Sequence, residues 1–172
     1  MLNFFKRDKP AQIYQHINLM LVNDDLNLIQ SKVLEIFGVA EVQQAEQFST
    51  ILTQFLKQPV ELRVKTAKAD PNFANQKLGM ANFIAGVPSA RPKSQELLIY
   101  QTQFILSMVA VIAPELTAEL LQKLTTLTHS IGGLIFIDGK SFLSSEGKLI
   151  WDTAGNSEVD FFPVSRLREV GE

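Results

Sequence analysis

GGLIFIDGKSFLSSEGKLIWD, residues 132–152, reads as a β-meander, and the reading of the whole chain is organised around it. Leu134-Ile135-Phe136-Ile137 is a short unbroken apolar run, rich in β-branched and aromatic residues, with glycines on both sides. A run of that kind predicts a strand buried on both faces. Asp138-Gly139 predicts a two-residue hairpin turn of the primed type, because glycine takes φ > 0 without steric cost. Phe142 and Leu143 then open the returning strand, opposite Phe136 and Ile135. Ser144-Ser145-Glu146-Gly147 supplies a second turn, and Leu149-Ile150-Trp151 a third strand. An indole on that strand is expected to be largely buried against helices, with its N–H partnered or at the rim.

Working outward, Leu116, Leu120, Leu124 and Leu127 form a core stripe at helical spacing just before the meander. Pro114 suits the first turn of that helix, and Gly132 terminates it. Ser94 is placed to cap a long helix running to about residue 113. Its second half, 104–112, is rich in β-formers and fits a buried strand as well, because periodicity does not separate the two. Residues 80–85 predict a strand, and the polar stretch 69–77, with Pro71, a loop. Val60-Glu61-Leu62-Arg63-Val64-Lys65 alternates strictly, which predicts a strand with one wet face. Over 43–57, Phe48, Ile51, Leu52, Phe55 and Leu56 recur at helical spacing, which predicts a helix ended by Pro59.

Nearer the N-terminus, Leu26, Ile29, Val33, Ile36 and Phe37 predict a helix. Asn23-Asp24-Asp25 supplies its cap and first-turn acids, and Gly38 closes it. Residues 13–22 predict a strand, with Ile17, Leu19 and Leu21 on one face and His16, Asn18 and Met20 on the other. Residues 1–10 read as a frayed leader. The tail 153–172 carries Val159, Phe161, Phe162 and Val164 and is expected to dock on the domain. Together these elements predict one α/β (α+β) domain spanning 1–172. It is a two-layer sandwich with a mixed, largely antiparallel sheet and helices mainly on one face.

Composition narrows the functional classes. Hydrophobic residues make up 46% of the 172 and charged residues 20%, so the chain buries a core and is not disordered. The net charge of -2 is interspersed, so neither nucleic acid nor an anionic membrane is an expected partner. Cysteine is absent, which removes disulfides, thiolate nucleophiles and cysteine zinc sites. In MLNFFKRDKP the apolar residues precede the cations, the reverse of a signal peptide. Residues 97–113 are apolar, but Gln101-Thr102-Gln103 interrupts them and Pro114 closes them short of the roughly 20 residues a span needs. The expectation is a soluble, cytoplasmic protein without metal or other cofactor.

Motifs that invite chemistry have simpler readings. Gly139-Lys140-Ser141 resembles the end of a phosphate-binding loop, but Leu134 stands where the first glycine belongs and the residues between are a strand. His129, Asp138 and Ser141 have the residue types of a triad without a nucleophile elbow. His129 is better placed as a cation at a helix C-terminus. His16 and His129 are too far apart in sequence to suggest a metal site. The segment DTAGNSEVD, 152–160, carries oxygen ligands but not in calcium-loop order, and reads as an acidic surface turn.

The best candidate site is the loop from Pro88 to Ser94, where a strand enters and a helix leaves. Arg91, Lys93, the Ser94 hydroxyl and free backbone N–H groups are the right types to hold an anion. The simpler account is that Pro88 and Pro92 stiffen a connection whose cations are solvated. With no convergent catalytic set, the sequence points to a non-enzymatic protein-interaction or regulatory module of the immunity or adaptor kind. The alternative is a small-molecule or anion-binding protein, and even an enzyme, built on Arg91, Lys93 and Ser94.

Overall fold

The computed structural model describes residues 13–23, 25–44, 49–66, 70–85, 101–102, 104–112, 116–138, 140–152 and 156. Among them are eight strands and three helices: β1 (Ile13–Leu21), α1 (Leu26–Phe37), β2 (Glu41–Gln44), β3 (Ser49–Phe55), β4 (Gln58–Thr66), α2 (Phe73–Ala85), β5 (Phe104–Ile112), α3 (Thr117–Ile131), β6 (Gly133–Ile137), β7 (Ser141–Leu143) and β8 (Leu149–Asp152). The strands join one open sheet in the order β2-β3-β4-β5-β1-β6-β7-β8, antiparallel at every described pairing. The fold is α+β, with the meander strands β6, β7 and β8 adjacent.

β1 sits inside the sheet, between β5 and β6, and divides its side chains as the alternation predicts. Ile17, Leu19 and Leu21 enter a core beneath α1 and α3, which includes Ile29, Val33, Leu62, Leu106, Leu124 and Ile135. Met20, which blurs the alternation of β1, belongs to a second core on the opposite face. There it meets Phe73, Met80 and Ala81 of α2, and Ile105, Leu134 and Phe136. Two of the three described helices therefore cover one face, and α2 covers part of the other. β6 is buried from both sides, with Ile135 in the first core and Leu134 and Phe136 in the second. Phe136 and Phe142 are cross-strand partners whose rings stack with centroids 4.3 Å apart.

The helix ends follow their chemistry. Asp25 caps α1, its carboxylate accepting from the N–H groups of Asn27 and Leu28. Gly38, at φ 82°, donates its N–H to the Leu34 carbonyl and closes the helix. Lys123 of α3 reaches across to donate to the Ile36 carbonyl at 2.9 Å, 5.6 Å from the centre of the Phe37 ring. One of the carbonyls that the end of α1 leaves unpaired is thereby satisfied from the neighbouring helix.

Several expectations are corrected. The helix expected over 43–57 is a hairpin instead, β2 leading into β3, which turns at Leu56-Lys57 into β4. Ile51, Thr53 and Phe55 alternate inward along β3, and that period-2 set coexists with the helical stripe in the same residues. Pairing on both edges of β3 selects the strand. The stretch 69–77, expected as a loop, and 80–85, expected as a strand, contribute to the single helix α2, which begins two residues after Pro71. It rests on the apolar half of the sheet through Phe73, Met80 and Ala81, a stripe too thin to announce a helix. Phe104–Ile112 is β5 and not the end of a long helix, because it pairs along its whole length with β1.

The meander has the expected register, Phe136 opposite Phe142 and Ile135 opposite Leu143. Its first turn is wider than expected. Ile137 pairs with Ser141, so three residues span the loop, and Asp138 takes φ 53°. Asp138 is held there by a reciprocal pair with β1: its N–H donates to the His16 carbonyl, and its carboxylate accepts from the His16 N–H, both at 2.7 Å. Gly139, the Trp151 side chain, residues 1–10 and most of the tail 153–172 lie outside the described residues.

Candidate functional site

β4 lays the floor of the site. Its even-numbered residues Leu62 and Val64 are buried in the core beneath α1 and α3. Its odd-numbered residues therefore rise on the opposite face, where Pro59, Glu61, Arg63 and Lys65 line a cleft. Arg63 stands opposite Ser107 of β5, Ser107 opposite Asn18 of β1, and Asn18 opposite Phe136 of β6. Along this one row the face changes from polar to apolar between β1 and β6. The apolar half is the part that α2 covers. Among the described residues the polar half has no cover, with His16 and Asn18 at one side and Gln76 and Met80 of α2 as a wall, and the cleft measures about 720 Å³.

Hydrogen bonds orient the floor. The Ser107 hydroxyl donates to the Asn18 side-chain oxygen at 2.6 Å. That engages the oxygen of the amide, and its NH2 group meets no acceptor among the described residues. Lys65 Nζ donates to Gln76 Oε1 at 3.4 Å, and Gln76 Nε2 donates to Asp70 Oδ2 at 3.1 Å. The other Asp70 oxygen accepts from the Asn72 N–H at 2.8 Å, and the Asp70 carbonyl accepts from the Phe73 N–H, which fixes the start of α2 against the cleft. One turn along α2, Lys77 donates to the Thr102 carbonyl at 3.0 Å, 5.6 Å from the centre of the Phe73 ring. Burial pushes its ammonium below the usual lysine range.

This arrangement holds polar groups and does not activate one. The Ser107 hydroxyl is bonded to an amide, which cannot take its proton, so it is not a primed nucleophile. Among the described residues no three of His, Asp and Glu group to hold a metal ion. No hydrogen bond joins His129, Asp138 and Ser141 to one another among the described residues. His129 is in the last turn of α3, and Asp138 is engaged with the His16 backbone. The Lys140 N–H closes the hairpin on the Ile137 carbonyl at 2.9 Å, so this segment is a turn and not a phosphate cradle. Asp152 accepts from the backbone and side-chain N–H groups of Asn156, and the rest of the acidic segment 152–160 lies outside the described residues.

Arg91, Lys93 and Ser94 lie outside the described residues. The cleft residues were visible in the sequence only as wet faces. Glu61, Arg63 and Lys65 carry the one available signal, three charges at every second position of a strictly alternating strand. Ser107 fell in a segment that reads as the end of a helix or as a buried strand, so its place beside Asn18 had no signal.

No protein-family model, curated protein or solved structure matches the chain. No helix among the described residues is long and apolar enough to cross a membrane.

Proposed function

We propose that this protein is a non-catalytic, cytoplasmic interaction or regulatory module that receives its partner in the open polar half of its sheet. The observation that supports this reading is the division of one sheet face. Where α2 lies, the face is Met20, Ile105, Leu134 and Phe136; beyond it, the face is Asn18, Arg63, Lys65 and Ser107. Side chains covered by their own chain are mostly apolar or hydrogen-bonded. A region that keeps charges of both signs and an unengaged amide NH2 group suits a polar partner.

The test is capture from native lysate by immobilised wild-type protein and by the double variant R63E/K65E. Both side chains sit at partly or fully exposed positions, so the variant is expected to fold, which its circular dichroism spectrum and Tm check. Partners held by wild type and lost by the variant are the expected result. The same partners on both overturn the reading.

A second reading has its own observation. About 720 Å³ lies within the range of small-ligand sites, roughly 300–1,000 Å³. With Arg63 and Lys65 in the floor, such a ligand would be an anion. A rise in Tm with a small dicarboxylate or phosphate, abolished in R63E/K65E, would favour it.

A further inference from the structure

We infer that the outer edge of β8 is the docking site of the chain's own C-terminal segment, residues 157–162, which adds an antiparallel strand to the sheet. The occupant is this segment, and not a second copy or a partner's strand. The inference is independent of the cleft, which β1, β4 and β5 build with α2.

Two sets of hydrogen bonds with one pattern carry it. The first joins β7 to β8 over Ser144-Ser145-Glu146-Gly147-Lys148. The Ser144 N–H donates to the Lys148 carbonyl at 2.9 Å, and the Lys148 N–H donates to the Ser144 hydroxyl oxygen at 3.2 Å. The Gly147 N–H donates to the Ser144 carbonyl at 2.9 Å, and Gly147 takes φ 78°. This is a three-residue hairpin loop, a tight turn followed by a left-handed residue. It sends the chain back antiparallel, with Leu149 opposite Leu143.

The second set stands at the far end of β8, over Asp152-Thr153-Ala154-Gly155-Asn156. The Asp152 N–H donates to the Asn156 carbonyl at 3.3 Å, and the Asn156 N–H donates to Asp152 Oδ1 at 3.0 Å. Asn156 Nδ2 adds a bond to Asp152 Oδ2 at 2.8 Å. First and fifth residues are thus joined as Ser144 and Lys148 are, with a side-chain oxygen of the first accepting from the fifth. Glycine again stands fourth, where the loop needs φ > 0. A helix runs its bonds from the later N–H to the earlier carbonyl. The Asp152 bond runs the other way, as in an antiparallel closure. Ser141 of β7 already stands opposite Asp152 on one side, so Asn156 takes the other, and the described sheet order ends at β8.

The residues that follow suit that edge. Glu158-Val159-Asp160-Phe161 alternates with period two, and Pro163 ends the run. A strand of that pattern adds Val159 and Phe161 to one face of the sheet and sets Glu158 and Asp160 on the other. The backbone row of a sheet edge invites pairing with other chains, and covering it removes that template. The β8 edge is then closed to a partner's strand.

The experiment uses the full chain labelled with 13C and 15N. Cross-strand nuclear Overhauser contacts are expected between β8 and residues 157–160, in antiparallel order, together with slowed exchange of those amides of 157–160 that face β8. In a mixture of labelled and unlabelled chain the contacts stay within one molecule. Gly155→Val is expected to speed exchange of the slowed amides roughly fivefold to thirtyfold, the factor for forcing a side chain into the left-handed region. Ala154→Ser, one residue earlier, is expected to change it by no more than about twofold.

Absence of the contacts in wild type overturns the inference. Contacts found only between molecules overturn the occupant, because the edge then holds a second copy. Equal exchange in Gly155→Val and Ala154→Ser overturns the turn on which the docking rests. Truncation after Asn156 checks the site without any strained residue. The amides of β8 are expected to shift while those of β1 keep their positions, and an unmoved β8 overturns the inference.

Discussion

Gly133→Ala is expected to be among the most damaging single-methyl changes this chain can suffer. Gly133 opens β6 opposite Leu21, at the end of the β1–β6 ladder. Its φ is 155°, and a Cβ there would stand 2.1 Å from the Met20 carbonyl oxygen and 3.0 Å from the carbonyl carbon. Both are backbone atoms of a strand in the middle of the sheet, so no side-chain rotation relieves the overlap. The two strands must part by more than an ångström, which also pulls on the 3.1 Å bond from the Val22 N–H to the Gly132 carbonyl. Overpacking costs about 1–3 kcal/mol. The disfavoured backbone conformation adds roughly 1–2 kcal/mol, and a weakened buried hydrogen bond about 1 kcal/mol. The expected loss is therefore about 3–6 kcal/mol.

Two other glycines calibrate the estimate. Gly38 has φ 82° but open space where its Cβ would be, so Gly38→Ala should cost only the backbone contribution, about 1–2 kcal/mol. Gly79 lies within α2, exposed and with nothing near its Cβ, so Gly79→Ala should stabilise by about 0.5–1 kcal/mol. Urea unfolding of the three variants, with m unchanged from wild type, reads the differences directly. Gly133→Ala no more destabilising than Gly38→Ala would refute the packing of β6 on β1. A destabilising Gly79→Ala would refute the open outer face of α2.

Two further predictions follow from local geometry. Leu56 and Lys57 form the two-residue loop between β3 and β4 with φ 49° and 65°, so the double variant L56N/K57G should raise stability by about 1–2 kcal/mol; an unchanged or lower Tm would contradict the turn. Because burial lowers the Lys77 pKa from its ordinary 10.5, the unfolded chain binds that proton more tightly than the folded one. Stability from this group rises as pH rises through the window between the lowered folded value and 10.5, so wild type should gain on Lys77→Met as pH approaches that ordinary value. Parallel denaturation midpoints across that range would show that Lys77 is fully solvated.

One-sided burial is what made half of the fold readable from residue order. β4, α1 and α3 each bury a single face deeply, and β1 does so apart from Met20, so their apolar residues recur with the period of the backbone that carries them. Ile17-Leu19-Leu21, Leu62-Val64, Ile29-Val33 and Leu120-Leu124-Leu127 all enter the same core. Capping is equally local: Asp25 and Gly38 act within one turn of themselves. The same holds for β6, where burial on both faces leaves a continuous run that only its short length identifies as a strand.

Where a segment's apolar spacing fits both periods, the neighbours choose. Ile51 and Phe55 satisfy a helix or a strand, and β3 is a strand because β2 and β4 pair with its two edges. Phe104–Ile112 is a strand because β1 lies along all of it. α2 is a helix in spite of a thin apolar stripe, since Phe73, Met80 and Ala81 are enough to cover an apolar patch that other strands supply. The cleft is the extreme case. Asn18, Arg63 and Ser107 come from three strands that are far apart in sequence and lie side by side because β1 is inserted between β5 and β6. Strand order is set by which faces must be buried together, a property of the assembled sheet, and no single segment carries it.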